Sequence, residues 1–109
     1  MSNEIPADDS RPLESGRITL AEEDGILCWL ERIEPDQCGE LHTETGPSIA
    51  LVVSGGPVEV VDEHEWLYHR TTLMSGQMIR SGMLPSSFRL CNVSNEPVVL
   101  IALEWRAPT

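Results

Sequence analysis

The sequence predicts an all-β sandwich or barrel. Three observations carry that reading. Short β-type runs recur at about ten-residue spacing, and each is closed by Gly, Pro, Asp or Asn. No window of eleven or more residues keeps a helical apolar period free of Gly and Pro. The length, 109 residues, fits a single domain.

The elements follow in order. Residues 1–15 hold two prolines, four acids and little to bury, and read as a mobile N-terminal arm ahead of a body at 16–109. The expected strands are Arg17–Glu22, Ile26–Ile33, Gly39–Thr43, Ile49–Val53, Val58–Val61, Trp66–Thr72, Gln77–Arg80, Ser87–Cys91 and Val98–Trp105. Asp24-Gly25, Pro35-Asp36, Gly46-Pro47, Ser75-Gly76, Leu84-Pro85 and Ser94–Pro97 supply turns. Ser54-Gly55-Gly56-Pro57 reads as a hairpin turn, and Asp62–Glu65 as a hairpin tip that leaves His64 in solvent. Ile49–Val53 loses the apolar–polar alternation, as expected of a strand buried on both faces or crossing a packed barrel wall. Trp66–Thr72 interleaves large apolar and polar residues, as on a half-solvated strand.

Charge narrows the function classes. Eighteen acids against seven basic residues leave a formal net charge of −11. Phosphate contacts need clustered Lys and Arg, so nucleic acid is not an expected partner, and neither is an anionic membrane. Every basic residue is Arg, which removes Schiff-base chemistry on lysine. No stretch reads as a signal peptide or membrane span, and the expected location is cytoplasmic. Cys28, Cys38 and Cys91, odd in number and without metal-type spacing, read there as reduced, packing thiols.

The spacing of a few residues is more specific. Pro35-Asp36, five residues, His42, Thr43, Glu44, three residues, Ser48, six residues and Gly55 match the frame G-x5-H-x-H-x3-E-x6-G. Farther on, Gly76 to Asn92 is one residue longer than G-x5-P-x-G-x2-H-x3-N, and Asn92 is followed by Val-Ser-Asn-Glu-Pro. These segments resemble the two motifs of the cupin superfamily, over about residues 20–106. The resemblance implies a double-sheet jelly-roll β-barrel with an interior cavity. It also implies a homodimer, in keeping with the exposed edges of a small barrel.

The departures from the motifs bear on function. Metal-binding cupins take two His and one Glu from the first motif and one His from the second. Here His42 matches by type, while Glu44, Ser48 and Phe88 occupy the other three positions. A catalytic transition metal wants at least three His or carboxylate ligands. His42 and Glu44 supply two, and Phe88 puts an apolar ring at the last. The expected function is therefore small-molecule binding without a metal cofactor, with His42, Glu44, Ser48 and Phe88 lining the cavity. The alternative is a metal-dependent dioxygenase, isomerase or decarboxylase. It would hold a divalent transition metal with His42, Glu44 and a third ligand such as His69 or Cys91.

The remaining candidates read as packing or surface. Met74, Met78 and Met83 suit gap-filling or a flexible pocket wall. Trp29, Trp66 and Trp105 suit a core or a subunit interface. Arg80 and Arg89 flank the altered second motif, as partners for internal acids or for a carboxylate ligand.

Overall fold

The computed structural model describes residues 16–43 and 46–105. The expected N-terminal arm and Glu44 lie outside the described residues. The described strands are β1 (Gly16–Glu23), β2 (Ile26–Ile33), β3 (His42–Thr43), β4 (Ser48–Ser54), β5 (Gly56–Asp62), β6 (Leu67–Leu73), β7 (Met78–Arg80), β8 (Ser87–Asn92) and β9 (Val98–Trp105). They form two antiparallel sheets, ordered β1-β2-β9-β4-β7 and β3-β8-β5-β6. Among the described residues no ladder joins the sheets, so the jelly roll is an open sandwich and not a closed barrel.

From β2 to β9 the chain changes sheet at every connection except β5–β6. That alternation explains Ser54–Pro57. It is no hairpin: it is the corner where β4 leaves one sheet and β5 enters the other. Glycine is needed there, because a Cβ on Gly55 would collide with the Leu73 carbonyl oxygen. The β5–β6 connection is the expected hairpin. Its tip is tied by Asp62 Oδ1, which accepts from the backbone N–H of His64 (2.8 Å) and of Trp66 (3.0 Å).

The core follows from strand alternation. Trp29, Glu31 and Ile33 of β2 and Val98, Leu100 and Ala102 of β9 are buried on the inner face of the five-stranded sheet. Val58, Val60 and Leu90 face them from the four-stranded sheet. Buried Asn92 closes one end. Its Nδ2 donates to the carbonyls of Ile33 (2.9 Å) and Glu96 (2.7 Å), and its Oδ1 accepts from the N–H (2.8 Å) and hydroxyl (2.7 Å) of Ser94. All four side-chain bonds of a buried amide are thus made, which removes its desolvation cost.

Two expectations are corrected here. Cys38 and Cys91 are not free thiols; they form a disulfide across an isolated bridge between the β2–β3 segment and β8. Their 53-residue separation hid a contact that topology creates. Cys28 remains free. Met74, Met78 and Met83 fill no core: all three are exposed, as are Trp66 and Trp105, whereas Trp29 is buried. Among the described residues no helix is long and apolar enough to cross a membrane.

Candidate functional site

Strand β3 is shorter than the run Gly39–Thr43 because of what lies behind it. The Glu40 N–H donates to the Glu31 carboxylate (3.1 Å) and not to a strand carbonyl. Upstream, the segment is pinned to β8 by Gly39 N–H to the Leu90 carbonyl (2.8 Å) and by two bonds between Asn92 and residues 36 and 37. Asp36, at the position where the cupin frame has Gly, adopts φ +63°, a left-handed conformation that Asp tolerates. The segment therefore arrives in β3 with His42 directed between the sheets, opposite Phe88 in register.

His42 is held on every side. Its Nε2 lies 2.8 Å from Glu31 Oε1, and its Nδ1 lies 3.0 Å from Arg17 Nη2. The guanidinium can only donate, so Nδ1 accepts and Nε2 carries the proton given to Glu31. Phe88 stacks on the imidazole at 5.1 Å between ring centroids, and Trp29 leans on it at 5.1 Å. Arg17 itself lies over the Trp29 ring, 4.1 Å from its centroid.

Glu31 is the residue that sequence reasoning missed. It is fully buried, and both carboxylate oxygens are engaged, one by His42 and one by the Glu40 N–H. Burying a carboxylate is costly unless it is bonded in this way. Space for it depends on Gly39, whose Cβ would overlap Glu31 Oε2. A signal was present: in Trp29-Leu-Glu-Arg-Ile33 the Glu falls in phase with two inward apolar residues. Arg17, its register partner on β1, shares that inner face.

Beside this cluster a cavity of about 110 Å³ opens between the sheets. Its polar wall includes Arg17, His42, Ser48 and Arg80, and its apolar wall includes Ile79, Phe88, Leu90 and Leu100. The space suits a few water molecules or one compact small molecule. Two N–H groups at the wall, Arg17 Nε and Trp29 Nε1, are buried without a hydrogen bond among the described residues, and the Glu40 carboxylate stands 4.0 Å from Arg17 Nε, beyond hydrogen-bond reach.

Of the residues expected to line a ligand site, the structure brings His42, Ser48 and Phe88 to this one cavity; Glu44 lies outside the described residues. His69 is not brought to His42. It lies exposed on β6, three strands from β3, a separation of about 14 Å at normal strand spacing. Cys91 is committed to its disulfide. Arg89 pairs with Glu65 at 3.4 Å on the outer surface, while Arg80 reaches the cavity. His64 is exposed at its hairpin tip.

Both His42 nitrogens have partners and the Phe88 ring covers the imidazole face. Among the described residues no group of three His, Cys, Asp or Glu is placed to hold a metal.

No protein-family model and no curated protein matches this sequence. Solved structures do match. A cupin domain from Bordetella pertussis Tohama I superposes with a TM-score of 0.73 at 12% identity, covering 89% of this chain and 98% of that one. A protein with a double-stranded β-helix domain from Klebsiella pneumoniae gives a TM-score of 0.63 at 19% identity, covering 94% and 89%. The cupin domain of an XRE family transcriptional regulator from Enterobacter cloacae gives 0.63 at 17%, covering 89% and 100%. The chain is a small all-strand domain of the cupin fold.

Proposed function

We propose that this chain binds a compact small molecule between its two sheets and recognises it without a transition metal. The observation that carries the reading is the pair of buried donors, Arg17 Nε and Trp29 Nε1, left without a hydrogen bond at the wall of a cavity. Native proteins seldom leave buried N–H groups unpaired, because each costs about 1–3 kcal/mol. A ligand with a carboxylate or another strong acceptor, approaching Arg17 with a small adjustment of the wall, relieves that cost. Its apolar body rests on Phe88, Leu90 and Leu100. Glu31 and His42 act as the brace: they fix Arg17 at the polar end through His42 Nδ1. The chemistry is recognition; the described cavity wall holds no activated nucleophile beside a free base.

The test is a thermal-shift and calorimetric screen of small carboxylates, each beside its neutral amide. The reading expects carboxylate binding that falls at least tenfold in Arg17→Leu and in His42→Ala. Binding unchanged in both variants refutes it. Elemental analysis of the tag-free protein, loaded with iron, manganese, nickel or zinc, tests the metal-dependent reading. Near-stoichiometric metal that is lost in His42→Ala would establish that reading and overturn this one.

A further inference from the structure

The floor of the cavity is set by two small residues. On the inner face of the five-stranded sheet the register sorts side chains into rows. One row joins Glu31, Leu100 and Val52, all buried. The next joins Trp29, Ala102, Ala50 and Ile79. Two alanines thus stand side by side between two large residues, and both line the cavity together with Phe88 and Leu90 of β8. A methyl group stands where the neighbouring row carries Leu100 and Val52, and the difference in side-chain length leaves a trough between the sheets. Interiors are close-packed, and an apolar void forfeits contacts along its whole lining.

The trough has one charged end. Trp29 begins the row, and the Arg17 guanidinium lies over its ring. Ala102 is one strand away from Trp29, at about 5 Å, and Ala50 one strand farther. Ile79 closes the other end with an apolar side chain. Arg80 follows it on β7, but alternation turns Arg80 to the opposite side of the strand, and it stands exposed at the rim. Ser48 and Glu104 occupy the row beyond the alanines and border the trough along its length, where the Glu104 carboxylate disfavours a second anionic group.

The cavity volume is about 110 Å³. An apolar cavity of about 150 Å³ takes a six-carbon ring, so by proportion this one holds about four carbons. We propose that the ligand is a short-chain aliphatic monocarboxylate of about four carbons, and that Ala50 and Ala102 set its permitted length. Its carboxylate meets Arg17, and its alkyl chain lies along the row over Ala102 and Ala50 toward Ile79. The inference rests on the carboxylate reading of the cavity and adds a chain length and a single charge to it.

Calorimetric titration of the full chain with acetate, propanoate, butyrate, hexanoate and succinate tests this. Affinity is expected to rise about fourfold for each methylene buried between acetate and butyrate. It falls about tenfold or more at hexanoate, which outgrows the row, and at succinate, whose second carboxylate is left unpaired. Ala102→Val fills part of the trough and moves the optimum to acetate or propanoate, with an unchanged or raised melting temperature in the absence of ligand. Ile79→Ala opens the far end and moves the optimum to hexanoate, so either variant alone reads the length rule. Carboxylates bound without regard to chain length, or an optimum that neither variant moves, overturn the proposal and leave the carboxylate reading standing. Succinate bound more tightly than butyrate overturns it in the same way. A wild type that binds none of the five overturns both.

Discussion

Opening the Cys38–Cys91 disulfide tests how this fold is held beside its cavity. The bond links residues 53 apart. In the chain-entropy model, closing a loop of that size restrains the unfolded chain by about 4 kcal/mol at 25 °C. A domain of this size has about 5–15 kcal/mol of stability in all, so the link is a large share. With a urea m-value of about 1–3 kcal/mol/M, reduction lowers the denaturation midpoint by at least about 1 M. The assay is a pair of urea curves, oxidised and fully reduced, with Cys38→Ala/Cys91→Ala as the irreversible counterpart. Cys28→Ala is the control, and it should keep its response to reductant because Cys28 is unpaired. The reduced chain should also exchange its Gly39 and His42 amides faster, since three backbone bonds to β8 are then left to hold the segment before β3. Coincident urea curves with equal slopes would refute the reasoning: the segment would then be held by its hydrogen bonds and packing alone.

Other changes have equally definite outcomes. Gly39→Ala forces its new Cβ into the Glu31 carboxylate and should cost about 1–3 kcal/mol in urea denaturation, with weaker binding of any cavity ligand. Asn92→Asp replaces the amide that donates to the Ile33 and Glu96 carbonyls by a buried charge, and should cost at least about 2 kcal/mol by the same measurement. Asp62 titrates below its ordinary value of 3.8, chiefly because its carboxylate accepts the Trp66 N–H. A depressed folded-state value means that its contribution to stability is present above the unfolded value and is lost as pH falls through the folded one. Carboxyl NMR titration should therefore place its midpoint below 3.8, and Asp62→Asn should abolish that part of the acid dependence.

Strand positions were legible because the runs are bounded by residues whose turn chemistry is local. Ile26–Ile33 and Val98–Trp105 match β2 and β9 residue for residue. The motif frame was legible too, and its physical content is visible in Asp36 at positive φ, in Gly55 against Leu73 and in fully bonded Asn92. Sheet membership was not legible, because corner and hairpin share the same glycine and proline vocabulary at Ser54–Pro57. The disulfide and the Glu31–His42–Arg17 chain were hidden for a related reason. Each joins residues from different strands, and their adjacency is decided by the order of strands in space and not by spacing along the chain. Glu31 stood nearest to discovery, being a carboxylate in phase with Trp29 and Ile33.

The position of β9 has a consequence for how the chain is made. It lies in the middle of the five-stranded sheet, pairing with β2 on one side and β4 on the other, and it is translated after the other described strands. Until it emerges, β2 and β4 each present an open apolar edge to the crowded nascent environment. The sheet is completed by inserting a last stave between two waiting ones, a non-local step that belongs among the slower classes of folding. During synthesis the same strands that build the core are thus a hazard for aggregation, and chaperone demand should fall once residues 98–105 have left the ribosome.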